Sequence, residues 1–327
     1  MSKNIIILGF GRSGTTWISD IVSKITGKLV LFEPVHPSVT EHVERFAYAT
    51  ITDRETSSLL KDFYNKVLNK QHRKMWLLRN HVPDRLEHIN PDFLTMLWEE
   101  CGIIGFKEIR ANFMMEWYLE NLPGKIVFVI RHPCATVASI KKRVNFWEFG
   151  WPYTYDLFLG KTLFNEHYQN HPIQNCVEVV RRADSDIAKY AVMWAITHAI
   201  ALPELERLGL PLFFYENFYD HPFSSSREMF NYLGYENVDI HPSFLFTPSM
   251  TALATVHGLE VPEQVYKQKG VSFFWDSILN EEEVDGVLDI VKSFGINLYD
   301  KHGIMQPSGY SVQAISPFHW LPRMMET

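Results

Sequence analysis

The sequence predicts an α/β protein: a central parallel sheet flanked by helices, with a phosphate-binding type of loop after the first strand. Three observations carry this expectation. Short β-type runs alternate with helical patterns along the chain; one run, Lys125-Ile-Val-Phe-Val-Ile130, is apolar with no polar alternate; and the first run passes through glycines straight into an amphipathic helix. Alternation of strand and helix is the pattern of βαβ units whose strands pair in parallel. A strand without a polar face is one that helices cover on both sides.

Taken in order, the first strand is expected over Asn4–Leu8. The helix after it shows one apolar face at Trp17, Ile18, Ile21, Val22 and Ile25, and Gly27 stands where a left-handed C-terminal cap belongs. Further β-type runs follow at Leu29–Phe32, Met75–Leu78, Ile103–Phe106, Ile126–Ile130 and Leu210–Phe214, the fourth of these being the candidate for the central strand. Ile187, Tyr190, Ala191, Trp194, Ala195 and His198 form a second helical stripe. Asn280 with Glu283 three residues on is a capping pair before Val284, Val287, Leu288 and Val291, so a late helix is expected near 281–293. Two stretches break the alternation and read as coverings of the sheet. Residues 144–176 carry Phe146, Trp147, Phe149, Trp151, Tyr153, Tyr155, Phe158, Phe164 and Tyr168, as a packed lid, a subunit contact or an acceptor wall; residues 297–327 form a C-terminal extension rich in Gly, Pro and aromatics.

Composition narrows the class. A chain of 327 residues allows two domains or one large α/β unit with insertions, and we read 1–327 as a single domain. With 46% hydrophobic, 21% charged and 14% aromatic residues, disorder, collagen and a disulfide mini-scaffold are excluded. A net charge of −7 argues against a broad basic surface for nucleic acid or anionic lipid. Cys101, Cys134 and Cys176 are odd in number and far apart, which suggests a reducing compartment and no cysteine zinc site. The N-terminal apolar run is too short for a signal-peptide core, and no stretch reaches 18 apolar residues, so a cytoplasmic protein without an integral membrane segment is expected.

The chemistry begins at Gly9-Phe-Gly-Arg-Ser-Gly-Thr-Thr16. Between a strand and a helix, the N–H groups of such a loop and the positive helix end converge on one anion. Against the GxxxxGK[ST] pattern, Gly9, Gly14 and Thr16 are in place, but Thr15 occupies the lysine position and the cation has moved to Arg12. The most apolar strand ends in Arg131 where a triphosphatase would carry a magnesium carboxylate, so the site suits a phosphate group without a metal. Glu216 is the one residue that keeps a kinase using ATP and Mg²⁺ as an alternative. A nucleotide-binding module without chemistry is a third.

These residues resemble the sulfotransferases that use 3′-phosphoadenosine 5′-phosphosulfate (PAPS). Arg12-Ser-Gly-Thr-Thr-Trp17 matches the family's first signature at every position, and Arg131-His-Pro133 with Ser139 matches the second. Trp194 ahead of Leu212-Phe-Phe-Tyr-Glu-Asn217 is similar to a further segment, which implies a scaffold role for Glu216. Pro248-Ser-Met-Thr251 and Lys267-Gln-Lys-Gly270 are similar to the C-terminal portion that closes on the donor, with Lys269 and Gly270 as donor contacts. The resemblance implies that Arg12, Ser13, Gly14, Thr15 and Thr16 hold the 5′-phosphosulfate, Trp17 faces the adenine, and Arg131 and Ser139, taken as a hydroxyl at a helix start, hold the 3′-phosphate. Lys107 in Gly105-Phe-Lys-Glu-Ile-Arg110 matches a lysine that stabilises the leaving phosphate. Cytosolic small-molecule members carry a histidine two residues after it, where this chain has Ile109. Phe32-Glu33-Pro34 instead resembles the Glu-Pro motif of carbohydrate sulfotransferases, so Glu33 is the expected general base, ahead of Glu108 and then of His36 or His81. The expected reaction is metal-independent transfer to a small-molecule or glycan hydroxyl.

Overall fold

The computed structural model describes residues 4–36, 39, 41–81, 90–142, 151–246 and 275–304. Two compact units are present, one formed by Met1–Val129 with Asn217–Tyr266 and the other by Ile130–Glu216 with Lys267–Thr327. The five-stranded sheet has the order β2-β3-β1-β4-β5, with β1 at Asn4–Gly9, β2 at Leu29–Phe32, β3 at Ile103–Glu108, β4 at Gly124–Ile130 and β5 at Leu212–Phe214. β1 pairs in parallel with β3 and β4, and β2 with β3. The α/β class with a central parallel sheet is therefore as expected. β1 holds the centre of the sheet and β4 lies beside it; both are apolar along most of their length and buried.

In the first unit, α1 (Thr15–Thr26) follows β1 and packs on β1, β2 and β3. Gly27, at φ 65°, returns its N–H to the Ser23 carbonyl and ends the helix in the left-handed turn that its position implied. α2 (Arg54–Leu68) is capped by the Asp53 carboxylate on the Thr56 N–H, and α3 (Pro91–Glu100) by Asn90 on the Asp92 N–H. α4 (Met115–Asn121) carries Tyr118, whose hydroxyl meets that of Tyr64 at 2.6 Å beneath the ring of Phe106. Met75–Leu78 is a 3-10 turn, not a strand: Leu77 and Leu78 are buried, but a four-residue apolar run has no period that separates a strand from a buried helical turn.

In the second unit, α5 (Pro133–Lys141), α8 (Asp186–Leu208) and α12 (Glu281–Ser293) pack against one another. α12 begins with the anticipated capping box, Asn280 accepting from the Glu283 N–H and Glu283 from the Asn280 N–H. Between α5 and α8 run α6 (Trp151–Lys161) and α7 (Val177–Arg182). β5 starts two residues later than the apolar run because Gly209 and Leu210 donate back to Glu206 and Leu205 to close α8. Of the aromatic stretch, Tyr155, Phe158 and Tyr168 are buried and Phe164 is exposed, while Phe146, Trp147 and Phe149 lie outside the described residues, as does most of 297–327. After β5 the chain returns to the first unit within α9 (Tyr215–Asp220), and α10 (Pro222–Leu233) and α11 (Pro242–Phe246) belong to that unit. Among the described residues no helix is long and apolar enough to cross a membrane.

Candidate active site

The loop between β1 and α1 is a backbone cradle. Arg12 and Gly14 both adopt left-handed φ values, 71° and 92°, the handedness from which backbone anion nests are built. Gly9 has no room for a side chain, since a Cβ there would stand 2.4 Å from the Val129 carbonyl oxygen. Ser13 gives both its N–H and its hydroxyl to the Phe10 carbonyl, at 3.1 and 2.6 Å, so its side chain shapes the loop. The first turn of α1 holds no acidic residue, and Gly14 offers no capping side chain, so the helix's positive end is left for a ligand anion. Arg12, Thr16 and Trp17 are half-buried and Thr15 is buried. Trp17 meets Phe218 edge-to-face at 6.2 Å. A loop with Arg12, two threonines and glycine backbone, and no acidic residue in the first turn of α1, has the composition that fits a phosphate or sulfate oxyanion.

A residue with no signal in the sequence fixes the cradle. Asn112 is buried, accepts the Gly9 N–H on Oδ1 at 3.0 Å, and donates from Nδ2 to the carbonyls of Gly9 at 3.3 Å and Ile109 at 3.1 Å. Leu8 is the last β1 residue paired with β3, opposite Glu108. The amide of Asn112 supplies the next rung in place of a backbone.

Beside the cradle, the ends of β2 and β3 gather the ionisable groups. Glu33 is buried, with Lys107 Nζ on Oε1 at 2.5 Å and Arg110 Nη1 on Oε2 at 2.7 Å. Burial alone would raise its pKa, but Lys107, Arg110 and His36 together outweigh it and bring the carboxyl down to about 2. Burial lowers the Lys107 pKa as well, against the pull of Glu33. Lys107 also lies 3.9 Å above the Phe32 ring. His36 stacks on Trp76 at 3.8 Å and, desolvated and facing Arg110, is lowered to about 3. Glu108 takes the Val35 N–H on Oε1 and has no hydrogen-bond partner for Oε2; burial lifts it to about 8. The Glu33 carboxylate thus sits between the Lys107 and Arg110 side chains, with burial holding the neighbouring Glu108 toward its neutral form. His81 lies apart, on the Val30 carbonyl at 3.1 Å.

In the second unit the turn from β4 into α5 is held from three sides. The Arg131 carbonyl accepts from Trp194 Nε1 at 3.1 Å, and the Arg131 guanidinium lies 4.6 Å over the Tyr215 ring. The His132 N–H donates to Glu216 Oε1 at 2.8 Å, and Tyr299 donates to Glu216 Oε2 at 3.3 Å. Glu216 is thus a structural acceptor, with burial raising its pKa; among the described residues no cluster of His, Cys, Asp or Glu is placed to hold a metal ion. His132 Nδ1 caps α5 by accepting the Cys134 N–H at 3.1 Å, which leaves Nε2 to donate to the Asp300 carbonyl at 2.7 Å. Burial lifts the Cys134 thiol to about 12, so it is a packing residue. Ser139 does not stand at a helix start: Pro133 fixes the start of α5, and Ser139 lies in its last turn. Lys269 and Gly270 lie outside the described residues.

No protein-family profile matches the chain, and no curated protein matches it. Among solved structures it is similar to the sulfotransferase domain of the Synechococcus PCC 7002 olefin synthase, at 14% identity and a TM-score of 0.39, covering 91% of this chain and 97% of that one. It is similar to the sulfotransferase domain of the curacin biosynthetic pathway at 12% and 0.42, covering 91% and 99%. A mouse sulfotransferase, SULT7A1, complexed with PAP, matches at 13% and 0.36, covering 89% and 83%. At these values the functional case is made by the residues themselves.

Proposed function

We propose that the chain is a sulfotransferase that moves a sulfuryl group from PAPS to an acceptor hydroxyl, of a carbohydrate or another alcohol, without a metal. The observation that carries this reading is the cradle at the start of α1, whose first turn carries no acidic residue, with Thr15 at the position where a triphosphatase has its lysine and Arg12 as the loop's cation. In this reading Arg12, the loop N–H groups, Thr15 and Thr16 hold the phosphosulfate, and Trp17 lies along the base. Arg131 and Ser139 take the 3′-phosphate, and Lys269 with Gly270 closes over the donor. The acceptor oxygen forms a bond to sulfur while the bond from sulfur to the bridging phosphate oxygen breaks. The proton passes to Glu33, and the electron pair leaves with the phosphate, whose charge Arg12 and Lys107 stabilise. Glu33 is held in its ionised form and is therefore able to accept. Three free cysteines accord with a cytoplasmic setting.

The test is transfer of labelled sulfate from PAPS to panels of glycans, phenols, steroids and aliphatic alcohols, with EDTA present. Transfer that persists in EDTA, and falls about 10²- to 10⁴-fold in Glu33→Gln with donor affinity kept, is expected. Absence of both transfer and adenosine 3′,5′-bisphosphate binding would overturn the proposal.

A further inference from the structure

We infer that Arg110 is a positioning residue for the Glu33 carboxylate, holding one oxygen in place so that the other is free to work when Lys107 turns to the donor. The inference rests on the sulfotransferase reading for the word donor, and on geometry for the rest. Glu33 follows β2 in a left-handed conformation, φ 42°, with its N–H on the Lys107 carbonyl at 2.9 Å and its own carbonyl accepting from His36 at 3.0 Å. Such a conformation is uncommon for a residue with a Cβ and persists only where its surroundings hold it. The backbone of Glu33 is therefore fixed, and its side chain ends between two cations, one on each oxygen.

The two cations are not equivalent. Lys107 is a point charge on a flexible stem, lying over the Phe32 ring, and a flexible ammonium can exchange one anion for another. Arg110 is planar and rooted in a segment anchored at both sides. Its carbonyl accepts the Tyr48 N–H at 2.6 Å, and two residues later Asn112 is bonded to Gly9. The backbone that carries the guanidinium is thus tied to the phosphate loop through Asn112, and the guanidinium itself to Glu33. When a phosphosulfate draws Lys107 away, the carboxylate loses one counter-ion and becomes a stronger base. It keeps its direction because the Arg110 contact at Oε2 remains. An acceptor oxygen must lie within hydrogen-bond reach of the base in the reacting complex, and one fixed oxygen is what sets that direction.

The groups that face Glu33 are Lys107 and Glu108 on β3, Arg110 beyond it, His36 in the turn after β2, and Tyr48, which lies against Arg110. The test compares Arg110→Gln and Arg110→Lys with the unaltered chain in two measurements. The first is a carboxyl ¹³C NMR titration of Glu33 without donor. The midpoint is expected to rise toward the ordinary value of 4.5 in Arg110→Gln and to stay low in Arg110→Lys. The second is steady-state transfer, in which Arg110→Gln is expected to lose about 10²-fold in kcat with PAPS affinity kept. The acid limb of its pH profile moves upward, and Arg110→Lys recovers part of the rate. A Glu33 midpoint that does not move in Arg110→Gln overturns the inference, whatever happens to the rate. So does an Arg110→Gln rate equal to that of the unaltered chain. A midpoint that moves in a protein that transfers no sulfate supports the Arg110–Glu33 coupling and sinks the sulfotransferase reading instead. Should Arg110→Gln not fold, Arg110→Lys carries the test: its fork is gone and its charge kept, so a kcat equal to that of the unaltered chain is the overturning result.

Discussion

Replacing Glu108 with Gln isolates the energetic consequence of a carboxyl buried without a full set of partners. Glu108 is completely buried, one oxygen takes the Val35 N–H, and the other has no hydrogen-bond partner. Its pKa rises from 4.5 to about 8, with burial as the largest cause. The folded chain therefore keeps a proton that the unfolded chain releases above 4.5, so stability falls as pH rises from the unfolded value toward the folded one. At about 1.36 kcal/mol per pH unit, the loss is about 1 kcal/mol at pH 5 and about 4 kcal/mol at pH 8. Gln keeps an acceptor for Val35 and cannot ionise, so the variant lacks this slope. Any cost of seating its NH₂ group is the same at every pH. Urea unfolding of both proteins at half-unit steps from pH 5 to pH 8 reads the difference directly, and contributions from the other titrating groups largely cancel in it. The variant is expected to gain on the parent by about 3 kcal/mol across that range. A difference that stays flat with pH would show that Glu108 ionises as an ordinary carboxyl, and the argument from burial would be wrong.

Two further outcomes follow from the site. Asn112→Ala strands the buried N–H and carbonyl of Gly9, and at about 1–3 kcal/mol per unsatisfied buried group it should cost about 2–6 kcal/mol in urea unfolding; a loss under about 0.5 kcal/mol would mean that the loop holds itself. Arg131→Ala should weaken adenosine 3′,5′-bisphosphate binding by about 1.5–3 kcal/mol, about 10- to 150-fold by calorimetry, and an unchanged Kd would remove Arg131 from the site.

What the sequence displayed plainly was local. The capping box at Asn280 and Glu283, the Gly27 cap and the strand at Leu29–Phe32 each depend on neighbours a few residues away, and the structure shows them where the pattern put them. The glycines and Arg12 of the first loop were legible for the same reason. The pairing of Glu33 with Lys107 was not, because it needs β2 beside β3. That adjacency places Phe32 opposite Lys107, and so brings Lys107 to Glu33, 74 residues away in sequence. Arg110 and Asn112 gave no signal at all: each acts on a partner 77 or 103 residues away, and an Arg or Asn in a loop is otherwise unremarked. The Met75–Leu78 run and the place of Ser139 in its helix failed on boundaries, where short apolar runs and proline starts decide between neighbouring solutions.

The imidazole that caps α5 has one more effect. Protonation would turn the acceptor of His132 into a donor and set it against the Cys134 N–H, opening the corner that carries Arg131. Desolvation defers that event to about pH 4. A free histidine changes charge in the middle of the range in which most enzymes work; this one stays silent there, so the neighbouring guanidinium keeps a constant aim through mild acidification.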